Sequence, residues 1–250
     1  MWRARRANIG RSTMLGVLLA MMALTYGCQA GVSRRVVEQA MSGKAGANIP
    51  AERVKKAGEQ AIPLIFDVVR DSSDEMVPDR ALLIMVGMTA MHTANPSAPY
   101  IREVLADRRE PERVRILAAE MLGFYWESPE PQTALIDYAK SDTSEAVRVQ
   151  CIASLGGLTA DGFLGGKVRT VNSEIKQAFV DAMKDSSADI RRQTCESVDG
   201  IARQALYSGI ELNWCKQLLI KGKKDKDYRV RRAAVDGLFV LESIRHRSHP

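Results

Sequence analysis

An all-α solenoid is the fold class this sequence predicts, on three observations. Residues 114–123, Val-Arg-Ile-Leu-Ala-Ala-Glu-Met-Leu-Gly, recur four more times with losses, at intervals of a few dozen residues. A second apolar segment and an acidic or Ser-rich turn precede each copy. The 250 residues are 46% hydrophobic, ordinary for a packed chain. Recurrence at such a period marks a repeat architecture. With Val114 as zero, Arg falls at +1, small or apolar residues at +4 and +5, Leu at +8 and Gly at +9. Offsets 0, 4, 5 and 8 lie on one face of an α-helix, so each copy is one amphipathic helix.

The chain begins with Arg3, Arg5, Arg6 and Arg11, then an apolar run at residues 14–24 that ends at Gly27-Cys28. That is the form of a bacterial secretory signal, its apolar part too short to span a bilayer, which needs about 20 residues. Residues 24–28, Leu-Thr-Tyr-Gly-Cys, resemble the lipobox of bacterial lipoproteins, although Thr25 stands where the box has Leu and Tyr26 is bulky. The resemblance implies cleavage after residue 27 and a lipid on Cys28. A plain signal peptide cut nearby and an uncleaved anchor are the alternatives. Gln29 lacks the Asp that retains lipoproteins at the inner membrane, so the expected location is the bacterial cell envelope, lipid-anchored and periplasm-facing. The outer membrane is favoured if the host has two.

Charge follows from the same segment. Residues 1–27 hold four of the 36 Lys and Arg and none of the 30 acids, so a formal net charge of +6 falls to +2 without them. The basicity is largely an export feature, and no nucleic-acid partner is expected. What remains is concentrated in residues 214–250, with ten Lys or Arg against four acids. Lys221, Lys223, Lys224 and Lys226 read as a solvated turn, with anionic lipid or cell-wall polymer as the sharper alternative.

Residues 28–50 are rich in small side chains and read as a flexible tether, with room for a short helix near residues 34–41. The array is expected over residues 51–243, opened by a capping helix at residues 52–60. First helices fall at residues 62–69, 98–105, 134–139, 175–183 and 214–220. Each ends in a turn bearing Asp or Ser, whose oxygens can cap the next helix. Second helices start at residues 78, 114, 147, 190 and 230. The longest step contains residues 156–166, glycine-rich at both ends and expected to loop out. Residues 244–250 read as a basic disordered tail.

A first helix, an Asp-containing turn and then Val-Arg-x-x-Ala-Ala-x-x-Leu-Gly resemble a HEAT repeat of the short, phycobilin-lyase type, over about residues 51–242. The resemblance implies a right-handed α-solenoid of about five helix pairs, with the second helices lining a concave face. Arg115, Arg148, Arg191 and Arg231 would then be a structural column bracing neighbouring units. Offsets +2, +3, +6 and +7 should face the groove. The candidate partner-binding residues are Met85, Leu117, Met121, Val149, Gln193, Arg192 and Arg232. Asp67, Glu103, Asp137 and Asp181 align on the first helices, with Asp71, Asp107 and Asp185 one turn on. This acidic ridge reads as solubility plus salt bridges.

Chemistry-bearing constellations are scarce. Cys151 and Cys195 fall on core offsets, and a Cys195–Cys215 disulfide is left open. No CxxC or Cys/His cluster suggests a metal, and no cofactor is expected. The HEAT-like deoxyhypusine hydroxylases hold di-iron with His-Glu motifs, and no His-Glu dipeptide occurs here. The expected function is a non-catalytic scaffold binding a protein or peptide segment. The alternative is an enzyme or enzyme accessory of the bilin-lyase type.

Overall fold

The computed structural model describes residues 32–89, 97–124, 129–160, 171–205 and 212–247. The leader, with Cys28, therefore lies outside the described residues, as do His92 and residues 161–170 of the glycine-rich segment. Among the described residues the chain is helical without a strand. The helices are α1 (Arg34–Met41), α2 (Asn48–Ala57), α3 (Ile62–Asp71), α4 (Val77–Thr89), α5 (Ala98–Ala106) and α6 (Glu112–Phe124). They continue with α7 (Pro129–Ser141), α8 (Glu145–Ala160), α9 (Ser173–Ala182), α10 (Ala188–Ala205), α11 (Asn213–Gly222) and α12 (Tyr228–Arg247).

Two rows organise them. The second helices α4, α6, α8, α10 and α12 each pack on the next, and within each unit a first helix packs on its second helix. One hydrophobic core runs through the stack from Val37 to Ala234. Apolar burial along that line is the main force holding a solenoid together, because each unit covers only its neighbours.

The structure corrects four expectations. Residues 34–50 are not a tether but part of two packed helices and the turn between them. Val37, Ala40 and Met41 of α1 and Val54 of α2 are buried in the same core, and α1 packs on α3 while α2 packs on α4. They make a sixth helix pair that extends both rows. The small residues between them form a turn in which Gly43 and Gly46 take φ of 65° and 88°, a region costly for any residue with a Cβ. Arg80 closes that turn, its Nη1 donating to the Met41 carbonyl at 2.9 Å.

The first copy of the repeat begins at Val77, not at residue 78. Val77, Ala81 and Met85 are the buried residues, which fixes them at 0, +4 and +8 and leaves Pro78 at the Arg position. Gly156 and Gly157 lie inside α8 rather than in a loop. A Cβ on Gly156 would stand 2.4 Å from Ser197 Cβ, so the glycine permits a close approach of α8 to α10 within a regular helix. The tail is shorter than expected, since α12 runs to Arg247.

Capping follows the turn chemistry. Asn172 Oδ1 accepts from the Ile175 amide at 2.8 Å at the start of α9, and Ser144 Oγ accepts from the Val147 amide at 3.3 Å in α8. Such bonds satisfy amides that have no partner inside the helix.

Candidate functional site

The arginine column sets the geometry on which a site can be built. Arg115 ion-pairs through Nη1 with Asp142 of the next turn, their side chains only 7% and 1% exposed. Arg148 Nη1 donates to the Asp142 carbonyl of its own turn at 2.8 Å. The arrangement repeats two units on. Arg191 holds Asp225 with two bonds of 2.7 and 2.9 Å, and Arg231 Nη1 donates to the Asp225 carbonyl at 2.8 Å. The Arg191 guanidinium holds the Asp225 carboxyl below its usual range. In the first copy, where Pro78 replaces Arg, Arg70 makes the link by a two-pronged pair to Glu110 at 2.6 and 2.8 Å. These pairs tie the first unit to the second, the second to the third and the fourth to the fifth, and a planar guanidinium suits such two-pronged bonds.

With the units locked in register, their offsets acquire fixed roles. Offset +7 is core, occupied by Ile84, Met121, Ser154 and Ser197, all buried. Ser154 and Ser197 meet the +9 glycines of the preceding second helix, Gly123 and Gly156. Offsets +2 and +6 point out of the stack. There the structure places Asp79 and Leu83, Ile116 and Glu120, Val149 and Ala153, Arg192 and Glu196, and Arg232 and Asp236, each exposed or half-buried.

Three candidate groove residues are thereby corrected. Met85, Leu117 and Met121 are fully buried core residues. Met85 is at +8 once the register is set by Val77. Leu117 and Met121, at +3 and +7, are turned inward into the core. Val149 is half-buried and packs against the core edge. Gln193 is half-buried, its Nε2 3.5 Å from Ser197 Oγ. Arg192 and Arg232 alone of the set come together, on a groove between α10 and α12.

That groove has a volume of about 600 Å³. Arg192, Glu196, Asp199 and Arg203 line it from α10; Tyr228, Arg229, Arg232, Ala233, Asp236 and Phe239 line it from α12. Its charges pair along each helix, Arg192 with Glu196 at 2.6 Å, Arg203 with Asp199 at 3.0 Å and Arg232 with Asp236 at 3.5 Å. Arg229 crosses the floor to Asp189 at 3.0 Å and holds Asp227 at 3.2 Å, which lowers the Asp227 carboxyl from its ordinary range. Arg232 is held most loosely, with 79% of its side chain exposed. Tyr228 and Phe239 stand beside it at 70% and 69% exposure.

Sequence reasoning confined to offsets +2 to +7 missed Asp199, Arg203, Tyr228, Arg229 and Phe239. One signal could have found Phe239. It occupies the +9 position, where Gly123 and Gly156 stand in the second and third copies. A bulky aromatic fits there because, among the described residues, no second helix packs on that face of α12.

Other chemistry is sparse. Cys151, Cys195 and Cys215 are free and buried, and burial pushes the Cys195 and Cys215 thiols up to about 12. Among the described residues no group of three or more His, Cys, Asp or Glu is placed to hold a metal ion. The acidic ridge is partly neutralised, Asp67 by Arg70 at 2.5 Å and Asp181 by Lys184 at 3.0 Å.

Fold and groove together define a helical-repeat solenoid with a charged, aromatic-lipped cleft at its C-terminal end. No family model matches the sequence, and no curated protein matches it. Among solved structures, an engineered protein is similar at 14% identity, over 84% of this chain and 96% of its own, with a TM-score of 0.41. Human deoxyhypusine hydroxylase in complex with glycerol is similar at 14% identity, over 84% and 95%, with a TM-score of 0.39. Likeness of this degree transfers no activity.

Proposed function

We propose that the protein is a non-catalytic scaffold of HEAT-like helix pairs, lipid-tethered through Cys28 at the bacterial cell envelope, which binds a segment of another protein. The observation that carries the reading is the groove between α10 and α12. It is lined by paired Arg and acidic side chains, with two aromatic rings exposed at its lip. Large exposed aromatics beside guanidinium groups are the composition of protein-binding hot spots. Lined from two packed helices, the groove suits an extended or helical segment better than a compact small molecule.

The test is recovery of a bound protein from crosslinked envelopes with the wild-type chain and with Arg192→Glu combined with Arg232→Glu. Both residues are outside the core, so the variant keeps its helicity by circular dichroism. The expected result is at least a tenfold loss of the partner in the double variant; equal recovery would exclude the groove. Tethering has its own readout. Labelling by a fatty-acid analogue is expected to vanish in Cys28→Ala, and persistence of label would exclude that residue.

A further inference from the structure

A solenoid end is normally covered by polar side chains, because no further unit buries it. The last described unit has two features that bear on what it meets, of which the second departs from that rule. First, it is strongly basic and its cations are unspent. Lys216, Lys221, Lys223, Lys224 and Lys226 are all exposed, and none forms an ion pair among the described residues. The acids nearby are engaged elsewhere, Asp225 by Arg191 of the preceding unit and Asp227 by Arg229. Arg231 adds another exposed cation, its Nη1 bonded to the carbonyls of Asp225 and Lys226 at 2.8 Å.

Second, the end helix turns apolar side chains to solvent. Tyr228, Val235 and Phe239 are 70%, 44% and 69% exposed. By helical spacing they share one strip, opposite the buried Val230, Ala234 and Gly237. Tyr228 follows the lysine-bearing turn directly, and Arg231 and Arg232 flank the strip. Aromatic and aliphatic side chains beside exposed Lys without ion pairs, with Arg231 bonded to backbone carbonyls and Arg232 loosely held by Asp236, are the chemistry of a surface that rests on anionic lipid. The rings enter the headgroup region and the cations meet the phosphates.

We infer that the C-terminal unit, α11 with the lysine-bearing turn and α12, is a peripheral contact surface for an anionic lipid bilayer. Charge complementarity favours a bilayer over an apolar protein patch. The cations spread over a helix end, a turn and the next helix, as a broad negative surface requires, while Val235 and Phe239 need an apolar layer beneath it. The inference does not rest on lipidation of Cys28; the surface shares Tyr228, Arg232 and Phe239 with the groove, so a bilayer and a protein segment would compete for that lip.

The test uses the full chain carrying Cys28→Ala and Val235→Cys, labelled at position 235 with an environment-sensitive fluorophore. Cys151, Cys195 and Cys215 are buried and escape labelling. Vesicles of equimolar phosphatidylcholine and phosphatidylglycerol are compared with phosphatidylcholine alone. Because the probe sits on α12, vesicle binding through the N-terminal leader alone leaves its emission unchanged. The expected result is a blue shift with the anionic vesicles, reversed by salt. It should be lost when Lys221, Lys223, Lys224 and Lys226 are all replaced by Glu, with helicity unchanged. An equal response to both vesicles, no response to either, or a shift that survives the charge reversal would overturn the inference. So would a shift with soluble polyglutamate and none with vesicles, which would assign the surface to an acidic chain. Failure here leaves the groove test untouched, since that test reads Arg192 and Arg232 and a protein partner.

Discussion

The arginines at +1 share a sequence position but not an energetic role, and the difference lies in burial. Arg115 and Asp142 are sealed from water, whereas Arg231 is exposed and bonds only backbone carbonyls. Removing one partner of a buried pair strands the other charge. Arg115→Ala is expected to lower unfolding free energy by about 3–5 kcal/mol, and Arg231→Ala by less than about 1.5 kcal/mol, both read from denaturant titrations. Glu120 gives a pH-dependent counterpart. Desolvation, then the charge of Asp79, raises its carboxyl above the ordinary range. The folded state therefore binds the proton more tightly than the unfolded state, so this group's contribution rises as pH falls through the raised value and is complete below about 4.3. Glu120→Gln is expected to raise the melting temperature at pH 7, with the gain shrinking towards pH 4; a gain independent of pH would contradict this. The bracing role of the arginines was legible because a charged residue recurring beside core positions needs a partner. Which arginine is buried was not, because burial depends on how closely the next turn approaches.

Among the second helices, the recurrent unit is a pair of complementary offsets. Gly at +9 meets Ser at +7 of the next helix, as Gly123 meets Ser154 and Gly156 meets Ser197. Against the fourth unit's helix the roles exchange: a Cβ on Gly237 at +7 would stand 3.3 Å from Asp199 Cβ, and 2.9 Å from Leu219 of α11 as well. One small residue at each crossing lets the helices approach, and it can sit on either side. Adjacent glycines in α8 test this. A Cβ on Gly156 collides with Ser197 at 2.4 Å, while one on Gly157 meets nothing within 4 Å. Gly156→Ala is expected to destabilise by about 1–3 kcal/mol through overpacking, and Gly157→Ala to stabilise by about 0.5–1 kcal/mol through helix propensity. The same sign for both in thermal unfolding would contradict the packing account. Helix positions were legible from the 3.6 period. The groove face was not, because the period says which residues share a side and not which side the neighbouring helix takes; Leu117 and Met121 went to the core for that reason.

Over the whole molecule, the stack begins earlier than its sequence pattern, and its last described unit leaves one face exposed. Both N-terminal helices were legible, but their pairing in the core was not, because α1 is only eight residues long and followed by a small-residue turn that reads as a linker. Its burial makes it part of the cooperative body. Met41→Ala is expected to cost about 2–5 kcal/mol, seen as a lower urea midpoint for the entire chain; a loss confined to local fraying would contradict this. At the other end, Arg192, Arg232, Tyr228 and Phe239 converge on a cleft that no other described helix covers. The most direct measurement of that claim is site-specific photo-crosslinking in the cells that make the protein, with the reactive residue at Phe239 and, separately, at Val180 on the first-helix row. The account predicts a discrete protein adduct from position 239 that disappears with Arg192→Glu and Arg232→Glu, and none from position 180. The same adduct from both positions, or from position 180 alone, would contradict it.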